Sequence, residues 1–305
     1  MPTATALNQK TRVSNIMDRA VCLIVNTSRF GNSKKVHNSQ VEIDADKDFI
    51  RVQKTLLDSP ELKQIISLDG EIRRYLYSRA SMSPFTSGVY LLANDLLAEV
   101  EDQLQAFTVQ RDGLIEDFIQ AYPVLLKDAE EKLSGCFNRS DYPSQDSLRA
   151  YFSIDWNYWN FSTSENLKKR NQAFYDAQLQ KNQAKMQQAA EELQQGLRAA
   201  FADLVSHASE RLSGGQDGKP KIFRDSMLAN INDFLSVFQA RNITDDSDLS
   251  ALVDRAKSLV HGVDPSDIRT QEGLRSSMAD GFAKIKAQLD TMITDRPGRK
   301  IRVAE

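Results

Sequence analysis

Cysteine is scarce in this chain of 305 residues, which contains only Cys22 and Cys136. The two residues are far apart in the sequence and belong to no paired motif, so a disulfide framework is excluded. Long apolar runs are also missing, because the strongest one extends only from Val21 to Val25. Such a run is too short for a signal-peptide core or a membrane span. We therefore expect a protein of a reducing, cytoplasmic compartment with no membrane partner.

Glycine and proline are sparse too, with 13 and 8 residues, whereas the helix-forming residues Gln, Ala, Leu, Glu, Lys and Arg are plentiful. This balance favours helix over sheet. Neither sign of charge dominates, since 39 basic and 42 acidic residues leave a net charge of −3. Such a charge argues against a protein whose whole surface neutralises phosphates. The composition predicts a mainly α-helical globular protein.

The sequence patterns that carry catalysis or bind metals are lacking. The histidines are dispersed, neither cysteine belongs to a CxxC pair, and nothing resembles HExxH or GxSxG. We predict that the chain is not an enzyme and that it uses no metal or cofactor. An enzyme whose site is assembled from distant residues is the remaining alternative, and it would require a cleft with convergent titratable groups.

The segment Gly214 to Lys219 superficially resembles a phosphate-binding loop. That pattern requires glycine where Ser213 stands and a hydroxyl residue where Pro220 stands. The segment also follows a predicted helix rather than a strand. A flexible linker over residues 213–221 is the simpler interpretation.

Two long amphipathic patterns dominate the middle of the chain. In the first, apolar residues recur at three- and four-residue steps from Val89 to Leu133, with an interruption at Arg111 and an expected kink at Pro123. The second begins near Ser162 and has its clearest apolar stripe from Met186 to Leu212. Two such helices, joined by a connector, predict a long antiparallel helical hairpin of the coiled-coil type.

The predicted organisation has four parts. Residues 1–212 form a domain that contains a small β element and the long hairpin, and residues 213–221 form the linker. Residues 222–293 form a C-terminal segment in which three further helices complete a helical bundle. Residues 294–305 form a short, mildly basic tail.

The small β element is predicted from two segments. The first, at about residues 20–28, is a short apolar run rich in β-branched residues, and the second, at about residues 152–161, alternates in the way a strand does. The second segment holds both tryptophans of the chain, and we identify Trp156, Tyr158 and Trp159 as candidate partner-binding residues. The alternative interpretations are a platform on which bases stack and a purely structural strand that pairs with the first segment.

Small basic clusters provide candidate nucleic-acid contacts. Lys168, Lys169 and Arg170 form the central one, and two further clusters lie at residues 34–35 and 296–302. Clusters of this size are more often solvated surface than nucleic-acid contacts, and only their convergence on one face would favour binding.

Six stretches of the chain resemble an uncharacterised helical family, a domain of unknown function carried by phages and integrative conjugative elements. These stretches are Ser83 to Leu92, Phe118 to Tyr122, Asp141 to Ser144, Leu148 to Phe152, Pro220 to Ser226 and Ala240 to Asp246. Genes of that family often lie near genes for MoxR-like or CobS-like AAA+ ATPases. The resemblance implies a bacterial mobile-element setting and association with an assembly that contains such an ATPase. It implies no catalytic residues.

These observations lead to one leading hypothesis and one alternative from another class. The leading hypothesis is a non-catalytic scaffold or adaptor of a mobile element or phage, which presents surfaces to protein partners, among them a MoxR-like AAA+ ATPase or further copies of the chain. The alternative is a nucleic-acid-binding accessory factor in recombination or defence, which would use the aromatic segment and the basic clusters.

Overall fold

A computed structural model describes residues 16, 18–36, 49–84, 86–160, 172–213 and 223–293, and these residues are mostly helical. The strands are β1 (Ala20–Ser28), β2 (Ser33–Lys35), β3 (Gln53–Thr55), β4 (Ser81–Met82), β5 (Val89–Ala93) and β6 (Ser153–Trp159). The α-helices are α1 (Pro60–Arg79), α2 (Leu97–Leu133), α3 (Gln172–Leu212), α4 (Asp225–Arg241), α5 (Ser247–Val260), α6 (Pro265–Thr270) and α7 (Glu272–Met292). Four short 3-10 helices accompany them within the described ranges. The prediction of a mainly α protein with a small β element is confirmed.

The chain divides into two compact units that are each built from separate stretches of sequence. The first unit comprises Met1–Leu23, Ser78–Leu97 and Tyr158–Glu305. The second comprises Ile24–Tyr77 and Ala98–Asn157. Some boundaries between the units fall inside a strand. β1 is divided after Leu23 and β6 is divided after Asn157.

One sheet has four strands, in the order β4-β5-β1-β6. β4 and β5 are antiparallel, with Ser81 opposite Leu91 and Met82 opposite Tyr90. β1 and β6 are neighbours, as the two segments at about 20–28 and 152–161 predict, because an apolar strand requires a partner to satisfy its backbone groups. A separate antiparallel pair joins β2 to β3.

The beginning of the first long pattern is a strand rather than a helix. All five residues of β5, Val89 to Ala93, are buried, and α2 begins only at Leu97. A continuous apolar run of this length fits either a buried strand or a buried helical segment, so periodicity cannot distinguish them. The helix itself continues through Pro123, as expected.

The core of the second unit forms around α1 and α2. Ser59 caps α1, because the backbone N–H of Leu62 donates to its Oγ at 3.0 Å, and Pro60 occupies the first helical position, where it needs no backbone donor. Helix α1 contributes Leu62 and Ile65 to this core, and the other buried members include Ile115, Phe118, Tyr122, Ala129, Tyr142, Leu148 and Phe152.

The core of the first unit forms around α3, α4, α5 and α7. Helix α3 packs most extensively on α7, and the two are antiparallel. At one end the Arg275 guanidinium donates to the carbonyl of Leu212, and at the other Arg198 donates to the carbonyl of Met292. The buried members include Leu197, Phe201, Val205, Phe234, Phe238, Leu249, Val253, Phe282 and Leu289.

The remaining predictions on organisation concern the long hairpin, the linker and the tail, and parts of these segments lie outside the described residues. Both long helices exist, but α2 lies in the second unit except for Leu97, and α3 lies in the first, so the hairpin between them stays a prediction. Apart from Ser213, the linker at 213–221 lies outside the described residues, and the tail at 294–305 lies outside them entirely. Within the described ranges, every helix is too short or too polar to span a bilayer.

Candidate partner-binding surface

Strand β6 lies at one end of the four-strand order and therefore forms an edge of the sheet among the residues that the structure describes. Side chains alternate along it, so Ile154, Trp156 and Tyr158 share one face. Ile154 and Trp156 are half-buried, whereas Ser153, Asp155 and Asn157 on the other face are exposed. The half-buried and exposed positions therefore alternate as far as Asn157.

The two tryptophans of this strand have different surroundings. The indole Nε1 of Trp156 donates to Glu101 Oε2 at 2.8 Å, and this bond fixes its ring within the second unit. Trp159 is 61% exposed and Tyr158 is 37% exposed. Exposed aromatic rings are enriched at protein interfaces, because they bury a large area at a small cost in conformational entropy. Of the three candidate residues, Trp156 contributes mainly to structure, Tyr158 is partly exposed, and Trp159 is the most exposed.

The start of β6 is held firmly within the second unit. Phe152 is buried and packs edge-to-face on Phe118, with ring centroids 5.7 Å apart. Ser28, at the end of β1, donates its hydroxyl to the carbonyl of Tyr151 at 3.0 Å and lies 2.7 Å from the hydroxyl of Ser153. These contacts anchor the strand at its first residue.

A buried cluster of charges supports the same region. Asp69 on α1 is buried and accepts from Arg111 Nε at 2.9 Å and from Arg29 at 3.0 Å. Arg111 also donates to the carbonyl of Ser28 at 2.6 Å, so the ion pair is linked to the end of β1. In the sequence, Arg111 interrupts the apolar stripe of the first long pattern. A charged residue on a buried helix face was the available signal for a buried partner.

A second buried polar cluster lies in the first unit, where α4 turns into α5. Asp246 is buried and pairs with Arg198 through two hydrogen bonds of 2.6 and 3.0 Å. The same carboxylate caps α5, because it accepts from the backbone N–H of Leu249 at 3.2 Å. The side-chain oxygen of Asn242 accepts from the backbone N–H of Asp246 at 2.9 Å, which closes the turn. The acidic start of α5 was visible in the sequence, whereas its arginine partner was not.

Three shifted pKa values follow from burial rather than from catalytic arrangement. Burial raises the pKa of the Cys22 thiol to about 11. Burial also raises the pKa of Tyr122 to about 12, and the Tyr122 hydroxyl donates to the carbonyl of Pro143. Burial and the neighbouring charge of Arg79 lower the pKa of Arg241 to about 10, against the opposing effect of Asp233.

The guanidinium of Arg241 is nevertheless unusual. It donates to the carbonyl of Ser78 at 3.0 Å and lies 5.8 Å from the ring centroid of Phe234. Its Nε is buried and has no hydrogen-bond partner among the described residues. Contact with an aromatic face offsets part of the cost of an unpaired donor.

A cleft of about 190 Å³ lies in the second unit, between the residues after β3 and the last turns of α2. Its walls include the apolar side chains Leu125 and Ala129, and its polar lining includes Asp58 and Asp128. Asp58 accepts from Lys63 at 2.7 Å, and this hydrogen bond and charge lower the pKa of Asp58. An exposed ion pair of this kind keeps its carboxylate ionised and gives no sign of a proton-transfer role.

The structure describes one of the three basic clusters that are predicted to contact nucleic acid. Lys168, Lys169 and Arg170 lie outside the described residues, as do residues 296–302, whereas residues 34 and 35 are exposed on β2. The nucleic-acid alternative therefore stays a prediction. In the part of the chain that the structure describes, His207 and His261 are exposed, and no group of three His, Cys, Asp or Glu side chains is arranged to hold a metal ion.

Comparisons of the chain with protein-family models, with curated proteins and with solved structures find no match. The resemblance to the uncharacterised helical family therefore stays a prediction.

Proposed function

We propose that this protein is a non-catalytic scaffold or adaptor that uses strand β6 to bind protein partners. The observation that carries this proposal is the combination of an edge strand with exposed aromatic residues at its end, among them Trp159. An edge strand offers unpaired backbone N–H and C=O groups to an added strand. The adjacent aromatic side chains supply the anchoring contacts that dominate binding energy at interfaces.

The way in which β6 is held supports this role. Its first residues are fixed by the contacts of Ser28 and Phe152, and Trp156 is fixed by its bond to Glu101. A surface that is ordered before binding loses less conformational entropy when the partner docks. The first residues of β6 are therefore held in place before a partner binds, whereas Trp159 at its end is exposed.

We further propose that the setting is a bacterial mobile element or phage and that the assembly contains a MoxR-like AAA+ ATPase. The support for this setting is the resemblance of stretches such as Ser83 to Leu92 and Ala240 to Asp246 to the family described above. Because the ATPase would supply the energy of nucleotide hydrolysis, the chain itself needs only to connect that machine to other molecules.

The proposal is tested by co-purification from the native host, with the partners identified and quantified by mass spectrometry. We expect the unaltered chain to recover an AAA+ ATPase and Trp159→Ala to reduce that recovery by about tenfold or more, since truncation of a central aromatic contact costs about 1–2 kcal/mol or more. Val109→Ala is the matched control, because Val109 is also exposed, at 75%, but lies on α2. Recovery of no ATPase and no other stable partner would contradict the proposal.

A further inference from the structure

Strand β6 has a sequence that can pair with itself. Of the two end strands, β4 has two residues and β6 has seven, so β6 provides the longer edge for an added strand. We propose that the occupant of this edge is β6 of a second copy of the chain, antiparallel to the first and centred on Trp156. This inference rests on the proposed function, since it names a partner of the same surface.

The register follows from the alternation of side chains. In an antiparallel pair, two residues directly opposite each other point to the same face of the sheet. Two copies of the same strand satisfy this condition only if the two-fold axis lies between the two copies of one residue. An axis between two copies of a peptide bond would place residues from opposite faces directly across from each other. Centring on Trp156 pairs all seven residues of β6, whereas centring on Asp155 or Asn157 pairs only five of them.

Charge selects the same register. Asp155 is the only charged residue of β6. Centring on Asp155 would place the two carboxylates directly opposite each other, which is unfavourable. Centring on Trp156 places each Asp155 opposite Asn157, whose amide can donate to a carboxylate. The amide already does so within one strand, where Asn157 Nδ2 donates to Asp155 Oδ2 at 3.1 Å.

The apolar positions are complementary in this register as well. Ile154 lies opposite Tyr158, and such a pair of a β-branched and an aromatic residue is favourable in antiparallel sheets. The two copies of Trp156 face each other at the two-fold axis, and Trp159 lies opposite the small residue Ser153. The backbone would contribute about six to eight hydrogen bonds. The interface is isologous and closes as a dimer, so it does not propagate into fibres.

A charge series at the exposed position 157 tests the pairing, with sedimentation equilibrium of the full chain as the readout. We expect the unaltered chain to dimerise and Asn157→Asp to weaken the dimer by roughly 2- to 30-fold, because it creates two opposed carboxylate pairs. Asn157→Lys should tighten the dimer, since it creates two opposite-charge pairs. The double variant Asp155→Asn with Asn157→Asp should restore it, because the charge is then again opposite an amide.

Cysteine cross-linking tests the register directly, in a background that carries Cys136→Ser. Trp156→Cys should form a disulfide with its own copy, and an equal mixture of Asp155→Cys and Asn157→Cys should form mixed dimers. The two experiments probe the two kinds of opposed position in an antiparallel pair, and the mixture does not depend on removal of Trp156. Ser153→Cys is the control, because its two copies would lie about 20 Å apart along the strands and should not cross-link.

The outcomes separate this inference from the proposed function. Two results would overturn the self-pairing. One is a chain that is monomeric in all variants, and the other is a dimer whose stability is unchanged by the substitutions at position 157 and that cross-links only through Ser153→Cys. If that chain still loses its partner on Trp159→Ala, the adaptor function is supported and the edge receives a strand of another protein. A charge-sensitive dimer that recovers no partner would instead support the pairing and contradict the adaptor function.

Discussion

Each of the two units buries an aspartate, and the two aspartates are held in different ways. In the second unit, Asp69 accepts from two arginines, Arg111 and Arg29. In the first unit, Asp246 accepts from one arginine, Arg198, and also from a backbone N–H at the start of α5. A carboxylate held only by charged side chains depends on each of them, whereas one that also caps a helix retains a role when its ionic partner is lost.

The largest effect is therefore expected at Arg111 in the second unit. Arg111→Met should lower the free energy of unfolding by about 3–5 kcal/mol, because it leaves Asp69 buried with one ionic partner and removes the bond to the carbonyl of Ser28. Urea denaturation measures the loss of free energy of unfolding. Hydrogen exchange of the backbone amides in α1 and α2 shows that the loss lies in the second unit. Arg29→Met is the matched control, since the side chain of Arg29 is 39% exposed and that of Arg111 is 1% exposed. Equal losses in the two variants would contradict the assigned roles.

An intermediate effect, dependent on pH, is expected at Asp246. Burial raises the pKa of this carboxyl, but hydrogen bonds from Arg198 and Leu249 and the charge of Arg198 lower it more, and the net pKa is below the usual value. The stabilisation from the ionised form is thus complete above the unfolded pKa of about 4, and it is lost as the pH falls through the lower folded pKa. Asp246→Asn keeps a capping side chain and should cost about 1–3 kcal/mol at pH 7.

Urea denaturation of both proteins between pH 7 and pH 2 checks this expectation. The difference between the unaltered chain and Asp246→Asn should shrink as the carboxylate becomes protonated. Asp245→Asn is the control, because Asp245 pairs with Arg19 near the surface and its side chain is 57% exposed. A difference that stays constant across the pH range would show that the ionised state of Asp246 contributes nothing.

The same two clusters show how far the sequence predicts the structure. Local signals were sufficient for the helix that begins after Ser59 and for the acidic start of α5, because capping depends on residues three or four positions apart. The neighbouring positions of β1 and β6 were predictable as well, since a strand must pair. The partners of Arg111 and Asp246 were not, because Asp69 and Arg198 lie 42 and 48 residues away in the sequence. No periodic pattern identifies such a distant side chain.

The candidate surface was predictable in the same partial way. Alternation identified the aromatic strand at about 152–161, and both tryptophans lie on it. The different roles of Trp156 and Trp159 depend on Glu101, which is 55 residues from Trp156 on another element. The position of β6 at the edge of the sheet depends on the strand order, which the sequence of one strand does not contain.

The smallest changes in the free energy of unfolding are expected at two helical glycines, one in each unit. They compare how tightly the helices of the two units are packed. A Cβ at Gly281 on α7 would lie 2.6 Å from Leu259 Cδ2 on α5, whereas a Cβ at Gly113 on α2 would meet nothing within 4 Å. Gly113→Ala should therefore raise the free energy of unfolding by about 0.5–1 kcal/mol through helix propensity alone. Gly281→Ala gains the same propensity but forces Leu259 aside, and we expect a net loss of about 1 kcal/mol.

Urea denaturation of the two alanine variants decides this last comparison. Leu259→Ala combined with Gly281→Ala provides the control, because the double variant removes the atoms that the new methyl group would meet. In that background the substitution at Gly281 should become neutral or stabilising, as it is at Gly113. If Gly281→Ala stabilises the unaltered chain, then α5 and α7 are packed less tightly than the contact with Leu259 requires.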